Sequence, residues 1–327
     1  LMIKAFGPGN DYIFFFKVVP TIIFVAVLVN MFYHLGILQR VVSFMGKGVH
    51  WLMGVSGAEA LSNVASTFVG QVEAQIMIKP YLKNMTNSEL MASMTGSFAC
   101  IAGGVMAVYI SLGVPAAYLL AASLMAAPGA LVISKIMFPE TEKSETEGEV
   151  KLELSKTHAN LVDAIAAGAS EGLKVGLNVI AMLIGFIALI ALVDLGLGHI
   201  GAWVNYPELS MNTILGKLFS VFAFAMGVPA QDIEVAGALM GKKMVVNEFV
   251  AYLDMVHLKA TLDPKTIAIT SFALCGFANF SSVAIQIGGI GELAPSRRSD
   301  LAKLGFKALI AGTLASYLSA TLAGLLL

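Results

Sequence analysis

Apolar runs about twenty residues long recur along the chain, and that is the length an α-helix needs to cross a bilayer. They predict spans at 12–33, 89–112, 116–138, 175–195, 265–286 and 301–326. Between them the texture changes. Residues 34–53 place apolar side chains at helical spacing with Arg40, Lys47 and His50 in between, which predicts an amphipathic helix on the membrane surface. Stretches 159–174 and 210–226 are amphipathic in the same way, and 196–209 is polar enough for an exposed loop or surface helix. Residues 139–156 hold Glu140, Glu142, Glu145, Glu147, Glu149 and Glu153 against Lys143, Lys151 and Lys156. No face of that stretch suits burial, so it predicts a solvated, mobile linker.

Two further segments, 56–83 and 227–255, are apolar but contain Glu59, Gln71, Glu73, Asp232, Asn247 and Glu248. Each reads as a hairpin with a turn glycine, Gly70 in the first and Gly241 in the second, followed by a glutamate, Glu73 or Glu248. Some thirty residues later each half has a polar interruption inside a span. The first is Thr95-Gly96-Ser97 with Cys100 and Gly103-Gly104, and the second is Cys275-Gly276-Phe277-Ala278-Asn279-Phe280-Ser281-Ser282. The chain therefore reads as a first span (1–33), one repeat (34–138), a linker (139–156), an amphipathic helix with a span (157–209) and a second repeat (210–327). Hairpin tips and helix breaks leave backbone groups unpaired, and lipid cannot satisfy them, so they must line a cavity inside the protein. That is the layout of an alternating-access transporter.

Composition agrees. Of 327 residues, 57% are hydrophobic and 13% charged, with a mean hydropathy of +0.83; a soluble domain is about 45–50% apolar and about 25% charged. A soluble enzyme, a disordered chain and a disulfide scaffold are excluded, leaving an all-α polytopic membrane protein. Net charge is −1, so no basic field invites nucleic acid. Cys100 and Cys275 lie in apolar runs with no metal-ligand spacing, and the five histidines form no cluster. The start, Leu1-Met2-Ile3, has no basic leader and reads as the interior of a longer chain with helices upstream. Arg40, Lys47, Lys79, Lys83, Lys135, the linker lysines, Arg297, Arg298 and Lys303 share one face under the positive-inside rule. The linker is then cytoplasmic, the hairpins are inverted, and the C-terminus lies outside.

Polar groups at membrane depth cost roughly 2.5–3.5 kcal/mol each on the insertion scale, so each needs a reason. Gln71, Glu73, Glu248, Asn279 and a serine at the midplane suit an uncharged, hydroxyl-rich solute, because carboxylates accept from hydroxyls and base N–H groups while amides do both. Asn279, Ser281 and Ser282 suit a helix cap equally well. Glu59, Asp194 and Asp232 read as structural or interfacial. Lys242 and Lys243, placed at the second hairpin tip, are the exceptions to a site without convergent cations.

Gly70-Gln71-Val72-Glu73-Ala74, Asn247-Glu248-Phe249-Val250-Ala251-Tyr252 and Cys275 to Ser282 resemble, in order and spacing, the signature segments of the concentrative nucleoside transporters. The resemblance covers essentially the whole chain. It implies inverted repeats with two re-entrant hairpins and two broken helices, on an elevator-type transport domain beside a scaffold. It also implies a homotrimer in the bacterial inner membrane that imports nucleosides with a cation and has two further N-terminal spans. By position, Gln71, Val72 and Glu73 would meet the nucleobase, Val105 and Phe277 would form apolar walls, and Glu248, Asn279 and Ser282 would hold the ribose. A sodium site would use the carbonyls of Val69 and Ile101 with Ser66 and Cys100. Three positions depart from the family pattern: Val72 stands for Thr or Ser, Ser66 for the Asn of sodium-coupled members, and Cys100 for Ser. Sodium is the favoured coupling ion and the proton is the alternative. A channel, or an intramembrane enzyme using Glu73 and Glu248 as an acid–base pair, are the rival classes.

Overall fold

The computed structural model describes residues 14–147, 158–206 and 208–327, and their regular structure is helical. Helix α1 (Phe14–His34) bends by 75° into α2 (Ile37–Met53). The bend falls at Gly36, whose φ of 72° favours a residue without a Cβ. On α2, Val42 and Gly46 face the protein while Phe44, Trp51 and Leu52 face out, 75–83% exposed. That outward apolar stripe is what a helix lying on a membrane surface presents.

The first hairpin begins with a capping box in which Ser56 and Glu59 satisfy each other's backbone amides. Its first arm is α3 (Gly57–Ser66). After a break at 67–72 come two single turns, α4 (Glu73–Ile76) and α5 (Lys79–Leu82). A second capping box, Thr86 with Glu89, starts α6 (Asn87–Ala99). The chain breaks at Cys100-Ile101-Ala102, resumes as α7 (Gly103–Leu112) and returns as α8 (Ala116–Met137).

The described part of the acidic stretch, 139–147, is not a free tether. Thr86 Oγ1 donates to Glu140 at 2.6 Å, Ser144 and Thr146 both donate to Glu89 at 2.6 Å, and Gly57 N donates to the Thr146 carbonyl at 3.0 Å. Its hydroxyls and carbonyls close the open end of the first hairpin, a job composition does not reveal. Glu149, Lys151, Glu153 and Lys156 lie outside the described residues.

Helix α9 (Leu161–Trp203) runs 43 residues without interruption, where three pieces were expected. It contains no proline, and Gly168, Gly172 and Gly176 let it press on α1. A Cβ at those positions would lie 2.8 Å from the Ala26 carbonyl, 2.6 Å from the Ile23 Cα and 2.9 Å from Val19. Close small-residue packing replaces the hydrophobic drive that lipid removes.

The second repeat opens with α10 (Met211–Ala225), whose Met211 amide donates to Asp194 of α9 at 2.6 Å. A 3₁₀ turn (Ala230–Asp232) and α11 (Ile233–Val245) follow, then α12 (Glu248–Leu258). Asp232 accepts from the Asp263 amide and from Thr266, so it is structural. The hairpin turns at Val246-Asn247, not at Gly241. Gly241 lies within α11, where a Cβ would sit 2.7 Å from that of Leu215 on α10. It is a helix-contact glycine. Lys242, one residue on, pairs with Asp254 of α12 and joins the two arms.

The predicted span at 265–286 is two helices, α13 (Pro264–Leu274) and α14 (Phe280–Leu293), separated by 275–279. Eleven residues rise only about 16 Å, half the thickness of a bilayer core, so α13 is too short to span one alone. Helix α15 (Arg298–Leu326) closes the fold. Among the described residues, Asn87–Leu112, Ala116–Met137, Ile184–Trp203 and Pro295–Leu326 are long and apolar enough to cross a membrane.

The two repeats interlock. One core cluster joins the first hairpin to α6, α14 and α15, and the other joins the second hairpin to α7, α8, α13 and α15. Each hairpin thus packs on the far half of the other repeat's broken helix.

Candidate functional site

Four helices start beside breaks in the chain, at Glu73, Gly103, Glu248 and Phe280. The longer of these helices direct the positive end of their dipole at the breaks. The two broken helices cross at their breaks: Phe277 N donates to the Cys100 carbonyl at 3.3 Å. Gly276, at φ 126°, leaves no room for a Cβ, which would lie 2.7 Å from the carbonyl oxygens of Phe98 and Ala99. Gly103 N donates to the Phe68 carbonyl at 3.1 Å and ties the first hairpin to the first broken helix.

The most complete polar cluster surrounds Glu248, which is buried. Asn247 caps α12 through the Val250 amide and sets Glu248 at the helix's first position. One Glu248 oxygen accepts from the Tyr109 hydroxyl at 2.9 Å and the other from Asn279 Nδ2 at 3.1 Å. Asn279 in turn caps α14, its Oδ1 accepting from the Ser282 amide at 2.9 Å and the Ser281 hydroxyl at 2.7 Å. Capping and site-building are therefore one act here, since the amide that starts α14 also holds the carboxylate. Glu248, Asn279 and Ser282 are brought together as the sequence predicts.

Gln71 belongs to a second cluster. Its Oε1 accepts from Gln286 Nε2 at 3.4 Å, and Gln286 also reaches the Met94 carbonyl at 3.4 Å. Gln286 is fully buried, and its own Oε1 has no partner among the described residues. Val72 packs its methyls on Gly289, where a Cβ would lie 2.5 Å away. Glu73 is exposed and folds its carboxylate over Gly70, where a Cβ would lie 2.2 Å from Oε2. Asn279, Ser282, Gln286 and Gly289 recur every three or four residues and so share one face of α14, which links the two clusters. Val105 and Phe277 are half-buried against the same apolar core.

The predicted ion-site residues are shielded from solvent. Ser66, Val69, Cys100 and Ile101 are all buried. Ser66 Oγ donates to the Ser62 carbonyl at 2.9 Å and lies 3.2 Å from Ser97 Oγ, while Gln75 links Ser97 (2.9 Å) to Ser93 (2.6 Å). No backbone amide among the described residues donates to the Val69 or Ile101 carbonyl, so both keep lone pairs to offer. Gly96 is obligatory, because a Cβ there would lie 2.0 Å from Asn63 Oδ1.

Three polar residues central to the geometry escaped sequence reasoning as site residues. Tyr109 carried no signal beyond a phenol in an apolar run. Gln286 was legible in principle from its spacing after Asn279 and Ser282. Lys243 was noted, but placed at a tip. It is in fact buried on α11, against α13 and α15.

Residues 118–324 match the family model described as the Na+ dependent nucleoside transporter C-terminus, and 15–116 match the one described as nucleoside recognition. The chain belongs to the concentrative nucleoside transporter family. Its nucleoside-transporting relatives include the nucleoside permease NupC of Helicobacter pylori, 41% identical over 97% of this chain and 76% of that one. The sodium/nucleoside cotransporter 1 of Rattus norvegicus is 40% identical, over 96% of this chain and 51% of that one. An uncharacterized transporter of Haemophilus influenzae is 48% identical, over 97% and 77% respectively. Among solved structures, the transporter CNTnw in an inward-facing substrate-bound state superposes with a TM-score of 0.92 at 42% identity, covering 99% of this chain and 77% of that one. These relatives are carriers and not enzymes.

Proposed function

We propose that this transporter is a secondary active importer of nucleosides, and that the Glu248 cluster holds the ribose. What carries the reading is a buried carboxylate oriented by Tyr109 and Asn279 at the start of two helices. Two sugar hydroxyls can donate to the carboxylate's remaining lone pairs beside those internal partners. Gln71 and Glu73 offer amide and carboxylate edges to the base, Val72, Val105 and Phe277 supply its apolar surroundings, and Ser282 adds a hydroxyl to the ribose side. The hairpins enter the membrane and return, the repeats move as an elevator against a scaffold that includes α1 and α9, and three copies assemble in a bacterial inner membrane.

Sodium is the favoured coupling ion, a co-substrate carried with the nucleoside. Spare carbonyls at Val69 and Ile101 and the Ser66 hydroxyl are hard oxygen donors of the type such an ion takes. One observation favours the proton instead: Ser66 is already engaged by Ser62 and Ser97, and the Cys100 thiol is a soft ligand. Uridine uptake into proteoliposomes under an imposed sodium or proton gradient tests both. Uptake with neither gradient, or exchange with an open-channel conductance, would overturn coupled transport. Competition by free uracil equal to that by uridine would overturn the ribose assignment.

A further inference from the structure

Lys243 is 1% exposed, and its ammonium lies where the first arm of the second hairpin meets the break of the second broken helix. Three acceptors surround it: the Ala273 carbonyl at 2.8 Å, the Cys275 carbonyl at 3.5 Å and Ser316 Oγ at 3.4 Å. An ammonium has three donors and no acceptor, so the count matches. The two carbonyls belong to the C-terminal end of α13, where the last carbonyls of a helix have no amide partner and the dipole is negative. Ser316 also donates to the Cys275 carbonyl at 2.8 Å, so α15 is tied to the same point.

The corresponding junction of the first repeat, α3 against the break after α6, contains no ammonium among the described residues. It holds the Ser66 and Ser97 hydroxyls, with unclaimed carbonyls at Val69 and Ile101. We propose that Lys243 is a tethered cation. It fills in the second repeat the place that a soluble coupling cation takes in the first, clamping α11 to the α13 break. One consequence is that two inverted halves need only one soluble cation site between them. The comparison with the first repeat rests on the coupling reading above, whereas the clamp rests on the Lys243 geometry alone.

Lys243→Ala opens a space whose acceptors suit a small primary ammonium, and methylammonium is the probe. In proteoliposomes, the variant should lose uridine uptake by about a hundredfold, as expected when the hydrogen bonds of a buried charged group are lost. Millimolar methylammonium should restore it at least about tenfold, equivalent to about 1.4 kcal/mol. Tetramethylammonium, with no N–H donor, should not. The same selectivity should appear as a rise in thermal midpoint of the purified variant, a reading that needs no transport and survives a wrong substrate or coupling ion. Lys243→Met, of similar length, guards against misfolding: it should melt cooperatively and transport as poorly as the alanine variant. Wild-type uptake in Lys243→Met, or no discrimination between the two ammonium ions in either assay of folded Lys243→Ala, overturns the proposal.

Discussion

The two repeats share an order of elements but differ at their hairpin tips and junctions. The first hairpin breaks over six residues, 67–72, and its second arm is two single turns; the second breaks over two residues and continues as an eleven-residue helix. The first junction is filled by the neutral chain Ser66, Ser97, Gln75 and Ser93, and the second by the Lys243 ammonium. A charge-tied, continuous helix is stiff, whereas a long break held by neutral hydroxyls can rearrange when a ligand arrives. The lesson is that an approximate repeat can split its duties: the second half presents a fixed carboxylate, and the first supplies an element whose position a bound ligand can bias.

The largest expected effect probes where the broken helices cross. Gly276→Ala meets both a left-handed φ of 126° and two carbonyl oxygens at 2.7 Å. It should destabilise by about 3 kcal/mol or more. Gly103→Ala, at the matching break of the first repeat, would place its Cβ 3.3 Å from the Phe68 carbonyl and should be far milder. Thermal melts of the two purified variants decide this, and equal losses would break the asymmetry.

Next comes the carboxylate. Glu248→Gln should weaken uridine affinity by about 1.5–3 kcal/mol, the worth of hydrogen bonds to a charged group. Glu73→Gln, at an exposed carboxylate, should cost less. Binding titrations on purified variants of unchanged melting temperature measure both, and unchanged affinity in Glu248→Gln would remove it from the ribose site.

A smaller effect concerns the ion. An Asn carbonyl reaches farther than a Ser hydroxyl, so Ser66→Asn should lower the sodium concentration for half-maximal uptake about tenfold, or about 1.4 kcal/mol. Ser66→Ala should abolish sodium dependence. Sodium titrations at fixed pH, repeated across pH without sodium, separate this from proton coupling; no response to sodium in any of the three proteins would hand the role to the proton.

The smallest effect belongs to Tyr109→Phe, which removes one donor to Glu248 and keeps the ring packing on Tyr252 at 4.5 Å. It should cost about 1 kcal/mol in uridine affinity. A cost equal to that of Glu248→Gln would mean the phenol touches substrate itself.

Local chemistry was readable from the chain. Helix breaks at Cys100 and Cys275–Asn279 follow from glycine and capping residues in apolar runs, and the glutamates stand out because charge is costly in lipid. The repeat follows from their spacing. One local reading failed for a clear reason: Gly241 looks like a turn glycine, but in a membrane helix glycine equally serves close packing, and only the neighbouring helix tells which.

What the sequence by itself determined is therefore the class, the two-fold repetition, the breaks and the polar residues beside them, because these depend on hydropathy and backbone preference along a few neighbouring positions. Only the tertiary structure decided that each hairpin docks on the other repeat's broken helix, which brings Tyr109 to Glu248 and Gln286 to Gln71, and that the second hairpin also packs on its own broken helix, which brings Lys243 to the end of α13. Those pairs are 139, 215 and 30 residues apart. Their polar groups meet because a buried donor or acceptor must find a partner somewhere in the fold, and nothing in the local pattern says where.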